Sequence, residues 1–261
     1  MPFLIMILRR RIHYLPILTA FWIISSFFIS YATAIIKGHV EIHDFPYISH
    51  TAIDAPERCI FAQLVNMGSL MLGVNVYIRY IQMIQLLKLL GAKRKHENIN
   101  KASLVLGFIS AFGLTIVANF QTIVMREVHY TGAVLAFFGG LVYCWMQTSL
   151  TLNYDKWSKV AIAQTANSIF LSVCLLLFFI SKVVFKILEA QNKGTKWDAL
   201  RGVYLVSTVS EWLTAVFIVT FVLTYYRDFS RINLKSPKIE FLDENRVLQD
   251  YNLPPVENQE V

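Results

Sequence analysis

The stretch VYLVSTVSEWLTAVFIVTFV, residues Val203 to Val222, is mostly apolar and carries one charge, Glu211, near its middle. About 20 mostly apolar residues cross the hydrocarbon core of a bilayer as a helix. This stretch therefore decides for a membrane fold. A carboxylate at that depth costs on the order of 3 kcal/mol. Partners inside a helix bundle must offset that cost, or the acid must stay neutral.

The rest of the chain agrees. It is 56% hydrophobic and only 16% charged over 261 residues, with a mean hydropathy of +0.50. A soluble domain of this length does not usually have this composition. Six stretches are long enough to span, at approximately 14–36, 59–78, 103–124, 132–152, 160–180 and 203–225. The second continues as an amphipathic extension, YIQMIQLLKLL. Gly139–Gly140 weakens the fourth as a helix, but small residues also let membrane helices approach closely. The expected fold is all-α, a polytopic protein with six transmembrane helices in one bundle over residues 1–225. A cytosolic, mostly disordered tail follows over 226–261, polar and containing Pro237, Pro254 and Pro255. The first span is too long for a cleaved signal and reads as a retained anchor.

Lysine and arginine placement sets the orientation. Arg9–Arg11, Lys88, Lys93, Arg94, Lys95, Lys101, Lys156 and Lys159 fall on one side. The loop from Lys37 to Arg58 has two bases against Glu41, Asp44, Asp54 and Glu57. Both termini are therefore expected in the cytosol. The fifth loop dissents, with Lys186, Lys193, Lys196 and Arg201 against Glu189 and Asp198. The net charge of +7 is assigned to these basic loops and not to nucleic-acid binding. The bases Lys88, Lys93, Arg94, Lys95 and Lys101 form a candidate loop for anionic lipid headgroups.

Cys59, Cys144 and Cys174 lie in or beside apolar spans and imply neither disulfides nor a zinc site. No P-loop, G-x-S-x-G, H-E-x-x-H or G-x-G-x-x-G pattern occurs. No catalytic residue, cofactor or metal is expected. His43, Asp44, His50, Asp54 and Glu57 cluster in the first loop, where a solvated acidic loop is the plainer reading than a hard-cation site. His129 and Trp212 are candidate interfacial residues. In the tail, Asp243-Glu244 followed by Val247-Leu248 loosely matches an acidic dileucine sorting signal.

Counting about 1.5 Å per residue places Asn66, Asn119, Gln121 and Glu211 at comparable depth in the outer half. They form a candidate intramembrane polar cluster in which the amides donate to Glu211. Such groups either join helices or line a lipid or ion site. In the first outer loop, Pro46 and Pro56 restrict the chain and Tyr47 suits an interface. Asp44, Pro46, Tyr47, Ile48, Ser49, Pro56 and Glu57 are the candidate residues of a cap over the helix mouths.

Several strings taken together resemble the DRAM family, the DNA-damage-regulated autophagy modulators. They are HVEIHDFPYISHTAIDAPERCIFAQLVN (His39–Asn66), YIRY (Tyr77–Tyr80), INKASLVLGFISAFGLTIVANFQ (Ile99–Gln121), VHYTGAVLAFFGGLVYCWMQT (Val128–Thr148) and SEWLTAVFIVTFVLTYYRDF (Ser210–Phe229). Arg79, Gln147, Arg227 and Asp228 are among the motif positions. The resemblance implies a six-span protein of lysosomal or endosomal membranes that promotes autophagy and is linked to programmed cell death. It supplies no established catalytic residue. The wider superfamily includes a protein of GPI-anchor lipid remodelling and a plasma-membrane regulator of phosphoinositide kinase, so Golgi and plasma membrane are the alternative compartments. The partners implied are membrane lipids, with autophagy or lysosomal trafficking proteins meeting the cytosolic loop and tail.

Two other functions stand beside this one. A lipid-remodelling enzyme or scramblase-like protein would need His129 within a few ångströms of Glu211 in a cleft open to the outer leaflet. A proton-coupled transporter using Glu211 would need paired broken helices.

Overall fold

Each of the six apolar stretches contributes one long helix. The structure, a computed structural model, describes residues 11–233. Arg9, Arg10, the sorting-signal match and the body of the tail from residue 234 lie outside the described residues. The helices are α1 (Tyr14–Ile36), α2 (Glu57–Leu89), α3 (Arg94–Asn119), α4 (Arg126–Tyr154), α5 (Lys159–Ala190) and α6 (Arg201–Leu223). A 3₁₀ turn (Ile48–Ala52) lies in the first loop, and α7 (Tyr226–Phe229) follows α6. No strand occurs among the described residues. All six long helices have the length and hydropathy to cross a membrane.

Sequence neighbours pack on each other, and α6 returns to α1 to close the bundle. Large apolar side chains such as Phe21, Leu70, Phe112, Phe170 and Leu176 point outward, as a lipid-facing surface requires. The interior is markedly polar instead. Asn75 Nδ2 donates to Thr19 Oγ1 at 2.8 Å, and Gln147 Nε2 donates to Ser103 Oγ at 2.8 Å. Hydrogen bonds of this kind hold membrane helices together where burial of apolar surface offers little drive. Where α3 and α4 pack, a Cβ on Gly113 would meet the backbone nitrogen of Ala136 at 2.5 Å and the carbonyl oxygen of Gly132 at 2.7 Å. Only glycine permits that approach. Gly139–Gly140 lies within unbroken helix, and small size there serves close contact rather than a break.

Helix ends depart from the sequence reading in an orderly way. α2, α3 and α5 run well beyond hydrocarbon depth, because propensity continues the helix where hydropathy stops. α3 begins at Arg94 rather than near residue 103, and it ends at Asn119 rather than near 124. Phe120 is extended there, and Ile123 and Val124 are apolar but exposed. The supposed basic loop is consequently two helix ends. Lys88 belongs to α2, while Arg94, Lys95 and Lys101 belong to α3, leaving Lys93 in the short connection. The compact unit also extends past residue 225, to Ile232, with Phe229 fully buried.

Candidate functional site

The first loop folds down onto one end of the bundle. Phe45 adopts a positive φ of 45° just before Pro46, a strained backbone conformation for a bulky residue. Its ring lies 5.5 Å from that of Trp212, which also meets Phe27, Phe28 and Tyr31. Trp212 Nε1 donates to the Pro46 carbonyl at 3.0 Å. Tyr47 then plunges between α5 and α6, packed with Phe178, Leu200 and Tyr204, and its hydroxyl donates to Ser207 Oγ at 2.9 Å. Burial pushes the Tyr47 phenol up to about 12, so it remains a donor. Thr51 closes the turn by donating to the Ile48 carbonyl at 2.7 Å, and Ser30 Oγ donates to the Thr51 carbonyl at 2.9 Å.

Glu211 is the latch of this cap. The backbone N–H of Ile48 donates to Glu211 Oε2 at 2.8 Å. A carboxylate accepting a backbone N–H forms a charge-assisted bond, stronger than its neutral equivalent. Lys182 of α5 is the cation that acts on Glu211. The acid in the sixth span is thus satisfied from the loop.

This corrects the expected polar cluster. Asn66 and Asn119 bond each other reciprocally, at 3.1 and 3.0 Å, across α2 and α3. The Gln121 side chain makes no hydrogen bond among the described residues; its carbonyl accepts from Val124 and Met125. The depth count placed these residues at similar levels, but α2 and α3 pair with each other, while Glu211 on α6 faces the loop.

The rest of the cap is held by charge. Asp44 is buried, its Oδ2 2.6 Å from Lys196 Nζ. Arg201 donates to the Asp44 carbonyl at 3.0 Å and to that of His43. Pro56 is the residue preceding α2. Glu57, in the first turn of α2, is 1% exposed and sits 2.5 Å from His39 Nδ1. His39, Asp54 and Glu57 bring one ligand atom each within 4.8 Å of one another, a different grouping from the five first-loop residues expected. Ser49 lies half-buried in the 3₁₀ turn. His129 is engaged elsewhere, with Nδ1 2.6 Å from the Phe120 carbonyl. It shares no hydrogen bond with Glu211 among the described residues. The broken helices of a transporter do not occur among the described residues.

His50 gives the cap a pH dependence. Desolvation, then the nearby Lys182, Lys196, His129 and Lys186, lower it to about 4. With the cap open, His50 returns to an ordinary value near 6.5. The open form then takes up the proton first, so acidification from about pH 6.5 toward 4 favours opening, by at most about 1.4 kcal/mol per pH unit. We expect hydrogen exchange over residues 46–52, corrected for intrinsic chemistry, to quicken across that window. His50→Gln should flatten the response; an unchanged slope would remove His50 from it.

At the opposite end lies a site that residue-by-residue reading left dispersed. Arg79 is 1% exposed. Its Nη1 lies 2.6 Å from Asp228 Oδ2. Nη1 also donates to Gln82 at 3.0 Å, Nε to Gln147 at 3.1 Å, and Nη2 to Thr151 at 3.3 Å. The guanidinium stands 4.8 Å from the centre of the Tyr225 ring, whose hydroxyl donates to that of Tyr143 at 2.8 Å. Opposite charges at one end of the bundle were the available signal. Also at this end, Lys88, Lys93, Arg94, Lys95 and Lys101 are exposed and in no ion pair among the described residues.

A family model described as the Frag1/DRAM/Sfk1/Cwh43P N-terminal domain matches residues 11–232. The chain belongs to this family. It is 32% identical to DNA damage-regulated autophagy modulator protein 2 of Bos taurus, over 96% of this chain and 95% of that protein. It is 30% identical to DNA damage-regulated autophagy modulator protein 1 of Homo sapiens, over 87% and 94%. A shorter match of 39% identity joins it to the modulator of macroautophagy TMEM150B-A of Xenopus laevis, over 52% and 57%. No solved structure matches. The family match spans every transmembrane helix, the cap and the Arg79–Asp228 pair.

Proposed function

We propose that this family member is a lysosomal membrane protein that raises autophagic activity and acts without catalysis. The observation that carries the reading is the near full-length similarity to relatives named as autophagy modulators. The outer end supports it: Glu211, Tyr47 and Trp212 spend their polar groups on holding the cap, and His129 bonds a carbonyl. The basic end and the tail are the surfaces for autophagy or trafficking partners and for anionic headgroups, with each base near a cytosolic leaflet contributing about 1 kcal/mol.

The charges favour cytosolic termini. Of the fifth-loop bases that broke the positive-inside pattern, Lys196 and Arg201 share the charge of Asp44 and Lys186 pairs with Glu189, which leaves Lys193 in no ion pair among the described residues. Those between α2 and α3 remain free to face the cytosol. An epitope inserted after Glu41 should therefore resist protease in sealed organelles, while one after Val261 is digested. The reverse pattern would overturn the orientation.

A tagged chain should co-localise with lysosomal markers and increase autophagic flux, and depletion should decrease it. Residence in Golgi or plasma membrane with unchanged flux would contradict this reading.

A further inference from the structure

On the cap side, α4 and α5 are separated by a groove of about 530 Å³, within the range of roughly 300–1,000 Å³ for small-molecule sites. Ala133, Val134 and Phe137 of α4 face Phe179, Val183 and Ile187 of α5 across it. These walls are apolar, and the charged side chains of the groove are Lys182 and Lys186. Lys182 lies about 12 Å inward from the end of α5. Its ammonium stands 4.6 Å from the Tyr47 ring centre, 4.9 Å from Phe178 and 5.2 Å from Tyr130. It has no hydrogen-bond acceptor and no ion pair among the described residues. Glu211 acts on it from beyond ion-pair distance, and the Glu211 carboxylate is engaged by the Ile48 amide. Lys186, one turn nearer the interface, is exposed beside Glu189.

An ammonium carries three donors and no acceptor. A desolvated one without acceptors, at the mouth of an apolar slot, complements an amphiphile with an anionic head. We propose that this groove binds one acyl chain of an anionic phospholipid from the leaflet on the cap side, with its phosphate on Lys182 and Lys186. Charge selects the class: a choline headgroup would bring a cation against the two lysines, whereas a glycerol headgroup leaves the phosphate charge uncompensated. Since Tyr47 of the cap forms part of the ring cage around Lys182, bound lipid and closed cap support each other.

The test is lipid retention by the full-length protein in detergent, with phosphatidylglycerol and phosphatidylcholine of identical acyl chains offered equally and the complexes read by native mass spectrometry. Phosphatidylglycerol should be retained about tenfold over phosphatidylcholine. Lys182→Gln should abolish that preference. Ala133→Trp, which fills the slot but leaves Lys182 and the cap in place, should lower retention by a similar factor while the protein stays monodisperse; it decides the matter if Lys182→Gln fails to fold. Equal retention of the two lipids, or full retention by Ala133→Trp, would overturn the proposal. So would displacement of phosphatidylglycerol by equimolar oleate, which would make a fatty acid the occupant. A dimer that Ala133→Trp dissociates would assign the groove to a second copy of the chain and overturn the proposal likewise.

Discussion

Arg79→Ala should lower the unfolding midpoint of the detergent-solubilised protein by on the order of 10 °C. The guanidinium is buried and bonds Asp228, Gln82, Gln147 and Thr151 at once. Removing one partner of a buried ion pair costs about 3–5 kcal/mol, because the remaining groups stay desolvated and unpaired. For a unit of this size each kcal/mol moves the midpoint by about 2–4 °C. Arg79→Lys keeps the charge but not the planar fork, so Gln147 and Thr151 lose their donor and the loss should be intermediate. Asp228, at 21% side-chain exposure, can regain water, so Asp228→Asn should cost less than Arg79→Ala. Adding Asp228→Asn to Arg79→Ala should then cost little more, as residues sharing one network are not additive. A midpoint within 2 °C of the parent for Arg79→Ala would mean that α7 does not fasten the bundle in this way.

Glu211→Leu should have the next largest effect. It removes the acceptor of the Ile48 N–H, and an unpaired buried donor costs about 1–3 kcal/mol. It also leaves Lys182 without the acid that acts on it. The cap then loses its central bond while Trp212–Pro46 and Tyr47–Ser207 remain. We expect reduced abundance and, on the proposed function, reduced autophagic stimulation. Glu211→Gln keeps an acceptor oxygen for Ile48 and should retain most of both. Loss of stimulation in Glu211→Gln at normal abundance would instead assign the acid a role as a charge, beyond that of a latch.

The six spans were legible because hydropathy over some twenty residues is a local property, and bilayer thickness fixes the length to look for. Helix ends were less so: α3 stops at Asn119 although Ile123 and Val124 continue the apolar pattern. In the first-loop string DFPYIS, which proline and tyrosine mark in the sequence, Tyr47 and Ile48 are buried in the structure. The partner of Glu211 was not legible. It is a backbone amide, which every residue but proline offers, and no side-chain pattern marks it. Depth counted along helices carries no information on which faces meet, so Asn66 and Asn119 were grouped with an acid they do not touch. Arg79 and Asp228 are separated by 149 positions, one read as the end of a span and the other as the start of a tail. Lys196 and Arg201 of the fifth loop made sense only once Asp44 lay beside them.

The latch itself can be measured at one atom. Hydrogen exchange at the Ile48 amide, followed in the parent, Glu211→Gln and Glu211→Leu, reports the bond from that N–H to Glu211 Oε2. Slow exchange in the parent, a similar rate in Glu211→Gln and a rate at least tenfold faster in Glu211→Leu, about 1.4 kcal/mol of lost protection, is the predicted result. Exchange at Ile48 in the parent as fast as at the exposed Glu41 would contradict it, since the loop would then not be held on the bundle at all.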